Sequence, residues 1–259
     1  PQQWAEMFGA DGNTPTTNFV LPLTAAQAFN RTLWHATGRQ IGREARAAMN
    51  LGRAYSTFWA PVVNLASEPR WGRNLETAGE DPHVAGVYAE HFVRGMQEAS
   101  EAPQHLMASA CCKHYVANQM EHSTVAGVPH DRQEFDARVS SRDLLDSYLP
   151  PFHACVERGH VSGLMCSYNA VNGVPTCADS WLLTTLARGE WGFDGYVVTD
   201  CGAAADVFER HHYTRTPEEA VGALLRAGTD LDCSGGMMAK HAEAALRTGA
   251  VSEADIDSA

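Results

Sequence analysis

The sequence predicts an α/β protein built as a TIM-type β/α barrel, and three observations carry that prediction. Short β-branched or apolar runs recur along the chain, each followed by a longer stretch of helical periodicity, the alternation of parallel strands with covering helices. Polar residues gather at the C-terminal ends of those runs: Asn64, Lys113 with His114, Tyr168 with Asn169, and Asp200. Loops at that end of a β/α barrel form the active site, so the convergence points to chemistry rather than packing. A doubly wound open sheet also binds ligands at its strand C-termini, but no Gly-rich dinucleotide fingerprint follows any strand here, which favours the barrel and implies no nucleotide cofactor.

The expected strands cover 57–64, 106–113, 161–168, 195–200 and 228–232, with a weaker sixth at 17–21. Between them the periodicity predicts helices over 25–49, 81–98, 141–158, 180–190, 217–227 and 237–248. Asp81-Pro82 places proline at a first helical position, and Thr216-Pro217-Glu218-Glu219 puts acids where the helix dipole favours them. Residues 123–136 read as a loop. A chain of 259 residues suffices for one barrel with a sizeable core. It opens at Pro1 and closes on a run that looks like a helix under way, so we expect a fragment whose barrel is incomplete at its termini.

Composition excludes several classes of partner. A formal net charge of -12 without any Lys/Arg run argues against nucleic acid, since phosphate binding needs a clustered basic surface. No stretch approaches the roughly eighteen apolar residues that span a bilayer, so no membrane partner is expected. The seven cysteines lack the paired Cys-x-x-Cys spacing of a structural zinc site, and no metal is expected. Cys166 and Cys177 bracket a loop rich in Asn, Gly and Pro, which admits either a local disulfide or two buried thiols. Asn30-Arg31-Thr32 has the form of a glycosylation acceptor, and with that disulfide it points toward a secreted, extracellular protein.

Asp200 ends an apolar strand and is followed at once by a Cys-Gly-Ala turn, which aims its carboxylate into the top of the fold. A carboxylate there costs several kcal/mol to desolvate unless cations or donors surround it. Lys113, His114 and Arg73 are the candidates, and near enough they would favour the ionised form that an attacking carboxylate requires. The alternative is an aspartate that merely caps the next helix. The loop at 69–82 combines two arginines, a tryptophan and three acids. That mixture suits a sugar site, with polar groups for hydroxyls and an aromatic for the ring face, or else a loop that salt-bridges itself.

Four motifs in order then resemble glycoside hydrolase family 3. They are Asn64-Leu65-Ala66-Ser67-Glu68-Pro69-Arg70-Trp71-Gly72-Arg73 with Glu76 and Gly79-Glu80-Asp81-Pro82; Lys113-His114-Tyr115-Val116-Ala117-Asn118; Met165-Cys166-Ser167-Tyr168-Asn169 with Val171-Asn172-Gly173-Val174-Pro175; and Trp191-Gly192-Phe193 leading to Val198-Thr199-Asp200-Cys201. The Asn-Gly-Val-Pro continuation, the cysteine after Asp200 and the run at 228–233 are most similar to the β-xylosidase branch, and the match extends over nearly the whole chain, 1–259.

The resemblance implies the family's N-terminal barrel and a retaining, exo-acting β-glycosidase working through a covalent glycosyl-aspartate on Asp200. It puts the sugar-binding arginine on Arg73, the Lys-His pair on Lys113 and His114, and the tyrosine beside the nucleophile on Tyr168. Trp4-Ala5-Glu6 is similar to the xylosidases' Trp-Asn-Glu, which implies that Glu6 binds the sugar. After Lys113-His114 the xylosidases carry Glu-x-Trp and the glucosidases an arginine; this chain has Glu121-His122-Ser123-Thr124, which leaves Glu121 as a sugar-binding candidate without fixing the specificity. His122 lacks the Gly-His-Gly loop of the family's β-N-acetylglucosaminidases.

The implied partners are small β-linked oligosaccharides or xylosides, and a second α/β domain, outside this chain, that brings the acid/base glutamate; a barrel by itself would be nearly inactive. β-Glucosidase and α-L-arabinofuranosidase activity are the alternatives within the family. A non-catalytic carbohydrate-binding remnant, or an aldolase-type barrel with Lys113 as a Schiff base, are the alternatives outside it.

Overall fold

A curled parallel sheet organises the protein, and each of its strands is separated from the next by at least one helix, the half-barrel of a TIM-type β/α fold. The computed structural model describes residues 16–99, 104–125, 127–233 and 236–259. Strand β1 (Thr57–Phe58) pairs with β2 (Ser109–Tyr115), β2 with β6 (Gly163–Cys166), and β6 with β9 (Tyr196–Thr199), all parallel. The four central strands are buried apolar runs, as expected of a sheet covered on its outer face and filled within. Two single bridges extend the curl, Val62 to Lys113 on one side and Leu231 to Val198 on the other.

Two expected strands are therefore shorter than 57–64 and 228–232. Pro61 lacks an N–H to give to the ladder, so pairing stops at Phe58 and resumes only at Val62, while Pro61 O still accepts the Lys113 N–H. The sixth strand expected at 17–21 is not formed. Pro22 instead starts a short helix, α1 (Pro22–Ala26), and the Thr17 N–H bonds to Glu44 at 3.0 Å.

Helix α2 (Arg31–Asn50) begins six residues later than the expected 25–49, because the Asn30 side chain caps it by accepting the Leu33 N–H at 3.0 Å. It crosses α3 (Pro82–Gln97) at close range through small residues: a Cβ on Gly38 would lie 2.2 Å from Phe92 O, and one on Gly95 would lie 2.2 Å from His35 O. Asp81 caps α3 as its Pro82 predicts.

The segment expected to be a loop at 123–136 holds a hairpin, β3 (His122–Val125) and β4 (Val128–Asp131), and the start of a small second sheet. That sheet pairs β5 (Asp136–Ala137) with β7 (Ala170–Val171), and β7 with β8 (Val174–Pro175). Helix α4 spans residues 141–158 and alternates α-helical with wider turns, as in the Leu149 N–H to Leu144 O and Gly159 N–H to Ala154 O bonds. The widening surrounds Pro150 and Pro151, which cannot donate to an i−4 carbonyl. Helix α5 (Trp181–Glu190) has wide turns too and starts over Asp179, whose carboxylate accepts the Trp181 and Leu182 N–H groups. Helices α6 (Ala203–Glu209), α7 (Pro217–Ala227), α8 (Met237–Thr248) and α9 (Glu253–Asp257) complete the cover.

Three disulfides staple strand to helix or loop. Cys112–Cys155 ties β2 to α4, Cys166–Cys177 ties β6 to the turn Thr176–Ala178, and Cys201–Cys233 closes the loop beyond β9. Loop-closure entropy assigns about 3–4 kcal/mol to cross-links of these lengths. Of the two readings the sequence left open for Cys166 and Cys177, the disulfide is the one formed; Cys111 remains a buried thiol. No described helix is long and apolar enough to cross a membrane.

Candidate active site

At the C-terminal end of the sheet, β9 leads directly into Asp200, which is only 8% exposed. Its Oδ1 accepts the Cys201 N–H at 2.8 Å, whereas its buried Oδ2 has no hydrogen-bond partner among the described residues. The Asp200 carbonyl accepts the Ala203 N–H, so the residue closes the turn into α6 with its backbone and leaves the carboxylate free. The capping alternative thus fails, because the α6 cap is Gly202, whose φ of 97° suits glycine and provides no side-chain bond.

His114 lies beside it, 1% exposed, with Nε2 3.7 Å from Asp200 Oδ2. Asn64 clamps the same residue, accepting the His114 N–H on Oδ1 at 2.7 Å and donating Nδ2–H to the His114 carbonyl at 2.8 Å. Arg73 Nη1 sits 3.0 Å from His114 Nε2, and His114 Nδ1 sits 3.1 Å from Asn64 Oδ1. Since arginine can only donate, the network assigns Nε2 as acceptor and Nδ1 as the protonated nitrogen. Burial, then Lys113, Arg73 and Arg132, push the imidazole well below its ordinary value, so it is neutral.

Arg73 is fixed by a two-pronged pair with Glu76, both contacts at 2.7 Å. That pairing holds Glu76 below the ordinary carboxylate value against the opposing effect of burial. Lys113, one residue before His114, is lowered chiefly by burial and then by Arg73, and its charge acts on both Asp200 and Glu76. Asp200 itself is raised above the ordinary value: burial outweighs the Cys201 N–H, Lys113, Arg132 and Arg73, which all act downward. Of the three groups expected from the sequence, Lys113 and Arg73 act on Asp200 as cations and limit the upward shift rather than reversing it, whereas His114 is neutral and adds no charge.

Tyr168 donates its hydroxyl to the Cys201 carbonyl at 2.9 Å and is raised by burial and then by the Asp200 charge. The Arg132 guanidinium lies 4.7 Å above the Tyr168 ring and donates to Glu121 Oε2 at 2.8 Å. Glu121 Oε1 accepts the Trp71 indole N–H at 3.2 Å, which joins the loop at 69–82 to the start of the β3–β4 hairpin.

Six of the seven site residues read from the sequence thus meet: Asp200, His114, Arg73, Lys113 and Tyr168 directly or electrostatically, and Glu121 through Arg132. Glu6 lies outside the described residues. Arg132 and Asn64's clamping role were missed; Arg132 sits in the segment expected to be a loop, and only the hairpin brings it back over Tyr168. His122 faces outward, 75% exposed and paired with Asp131 at 3.1 Å. Among the described residues, no group of three or more His, Cys, Asp or Glu side chains is arranged to hold a metal ion.

A buried carboxylate beside Arg73, Lys113 and a neutral histidine, at the C-terminal end of a parallel sheet, defines a β/α-barrel domain with its candidate active site at the strand ends. The model of the glycosyl hydrolase family 3 N-terminal domain matches residues 8–259, and the chain belongs to that family. It is 47% identical over 241 residues to beta-D-xylosidase 1 of Arabidopsis thaliana, covering 93% of this chain and 30% of that protein. It is 43% identical to beta-xylosidase/alpha-L-arabinofuranosidase 2 of Medicago sativa subsp. varia, covering 94% and 31%. A family 3 exo-β-xylosidase solved with a xylobiose aziridine activity-based probe superposes with a TM-score of 0.90 at 35% identity, over 97% of this chain and 32% of that one. The β-glucosidase of Listeria innocua, solved with glucose, follows at a TM-score of 0.81 and 28% identity, over 94% and 32%. The chain spans about a third of the length of these relatives.

Proposed function

We propose that the protein to which this chain belongs is a retaining, exo-acting β-glycosidase that hydrolyses β-linked xylosides, with Asp200 as the nucleophile. The observation that carries the reading is the free Oδ2 of Asp200 at the sheet mouth, with its partner oxygen already held by Cys201 N–H. In the first step Oδ2 bonds to the anomeric carbon as the glycosidic C–O bond breaks, and an acid protonates the leaving oxygen. In the second step water, deprotonated by the same group, releases the sugar and restores the carboxylate.

Arg73, Lys113, His114 and Glu121 hold the sugar hydroxyls, with Glu6 added from the start of the chain, and Tyr168 braces the nucleophile's turn. No cofactor is required.

The acid/base is proposed to lie in a second α/β domain outside this chain. Glu76 is unsuited to it, because both its oxygens accept from Arg73, which holds it below the ordinary carboxylate value, and Glu121 is occupied by the Arg132 and Trp71 donors. The xylose preference rests on likeness to xylosidases among the relatives; arabinofuranosidase activity is the second reading, favoured by the double name of the Medicago relative. Extracellular location is proposed on three disulfides and the exposed Asn30-Arg31-Thr32 acceptor.

The test uses the full-length protein and a 2-fluoro-β-xyloside that traps the covalent intermediate. Mass spectrometry should place the sugar on the peptide carrying Asp200, and Asp200→Ala should abolish trapping. Labelling at another residue rejects the assignment, and stoichiometric borohydride trapping of a carbonyl substrate on Lys113 would favour the aldolase alternative.

A further inference from the structure

The turn that carries Asp200 is anchored on the strand side by Asp200 N–H to the Cys166 carbonyl at 2.9 Å and braced on the loop side by contacts around one disulfide. Cys201 N–H donates to Asp200 Oδ1 at 2.8 Å, and the Cys201 carbonyl accepts the Tyr168 hydroxyl at 2.9 Å. The Gly202 N–H donates to the Cys233 carbonyl at 3.1 Å, and the Cys233 N–H donates to Thr199 Oγ1 at 3.0 Å. Sequence positions 199–202 and 233 are thus cross-braced on both sides of the Cys201–Cys233 bond. Gly202 follows with a positive φ of 97°, a point where the turn can swing once its staple is released.

The three disulfides differ in access. Cys112, Cys155, Cys166 and Cys177 are at most 1% exposed, and Cys233 is 5% exposed, whereas Cys201 is half-buried at the mouth of the site. Thiol–disulfide exchange requires in-line attack on a sulfur, so access selects which bond a small thiol reaches first.

We infer that Cys233 is a positioning residue for the proposed reaction, acting through its bond to Cys201, and that reduction of this one disulfide switches the nucleophile off reversibly. The inference rests on Asp200 as the nucleophile. A low-molecular-weight thiolate attacks Cys201 Sγ, forms a mixed disulfide and expels the Cys233 thiolate, which takes up a proton. A second thiol attacks the mixed disulfide and frees the Cys201 thiol. The cysteine pair gains two electrons and two protons, and two thiols become one external disulfide.

With the staple gone, the carboxylate loses its fixed approach to the anomeric carbon, and misplacement on the order of 1 Å costs about 10²-fold in rate. Sugar binding by Arg73, Lys113 and His114 stays in place because none of them is attached to the turn. The loss therefore falls on kcat and on the trapping rate, with KM changed far less.

The experiment takes the full-length enzyme through a dithiothreitol titration, with alkylation and peptide mapping to identify the bond that opens first. Cys201 and Cys233 should be alkylated before the other four, and kcat should fall about 10- to 100-fold together with the 2-fluoroxyloside trapping rate. Reoxidation should restore both. The double variant Cys201→Ala with Cys233→Ala should match the reduced enzyme and no longer respond to dithiothreitol; should it fail to fold, the reduction and reoxidation cycle gives the same readout. Unchanged kcat after selective opening of Cys201–Cys233, or loss that tracks another disulfide, overturns the inference while leaving Asp200 labelling intact. Absence of labelling at Asp200 in the untreated enzyme overturns the nucleophile and this inference together.

Discussion

His114 Nε2 lies 3.7 Å from Asp200 Oδ2, yet the two make no ion pair. The imidazole is held neutral by burial and by the cations around it, and its Nε2 lone pair already faces Arg73 Nη1 at 3.0 Å. The separation also exceeds hydrogen-bond range. A neutral ring beside a carboxylate does not protonate it, and Asp200 Oδ2 stays buried without a hydrogen-bond partner among the described residues.

This arrangement makes Arg73 hard to replace. Lysine at that position cannot reproduce the fork to Glu76 or donate to His114 at the same time. Loss of one charge-assisted hydrogen bond costs about 1.5–3 kcal/mol, so Arg73→Lys should lower kcat/KM about 10- to 100-fold in the full-length enzyme. Steady-state kinetics with a nitrophenyl β-xyloside measure it; retention of wild-type kcat/KM would show that the fork is dispensable.

The acid limb of the pH profile follows from Asp200. Its carboxyl is raised by burial and restrained by the Cys201 N–H and by Lys113, and in the proposed mechanism the ionised form is the one that attacks. Activity should therefore fall at a pH above the ordinary aspartate range. Lys113→Met removes a restraining charge and should shift that limb of kcat/KM further upward. A downward or absent shift would mean that Lys113 does not act on the nucleophile.

Asp206, whose charge acts on Tyr168, gives a stability prediction. It is 4% exposed, its Oδ2 has no hydrogen-bond partner among the described residues, and burial, with Glu209 and Asp131 adding to it and Arg210 and Arg132 opposing, raises it from 3.8 to about 7. Below 3.8 the group is protonated whether folded or unfolded. Between 3.8 and about 7 the unfolded chain has released a proton that the folded one keeps, so stability falls as pH rises and the penalty is complete above about 7. Asp206→Asn should flatten the melting temperature against pH over that window and stabilise the protein at pH ~8 by about 1–3 kcal/mol. An unaltered pH dependence would place the titration elsewhere.

The crossing of α2 and α3 can be tested with one methyl group. Ala at Gly38 would put a carbon 2.2 Å from Phe92 O, a rigid backbone atom, so the helices must part. Overpacking of this kind costs about 1–3 kcal/mol, and each kcal/mol lowers the melting temperature of a domain this size by roughly 2–4 °C. Calorimetry on Gly38→Ala should show that drop; a neutral effect would argue that the helices approach less closely.

The sequence by itself determined the alternation of strand and helix and the strand ends that bear polar residues. Both are local properties: apolar runs are short or periodic, and Asn64, Lys113, His114, Tyr168 and Asp200 each sit where an apolar run stops. Tertiary structure decided everything that needs two distant segments to meet. Arg132 reaches Tyr168 only because β3 and β4 fold back as a hairpin, a pairing without strong alternation to announce it. Cys112 finds Cys155 across the β3–β4 hairpin and Cys201 finds Cys233 across two helices, and spacing along a chain does not encode such partners. The neutrality of His114 and the upward shift of Asp200 likewise arise from burial, which is a property of the assembled fold and not of any one residue.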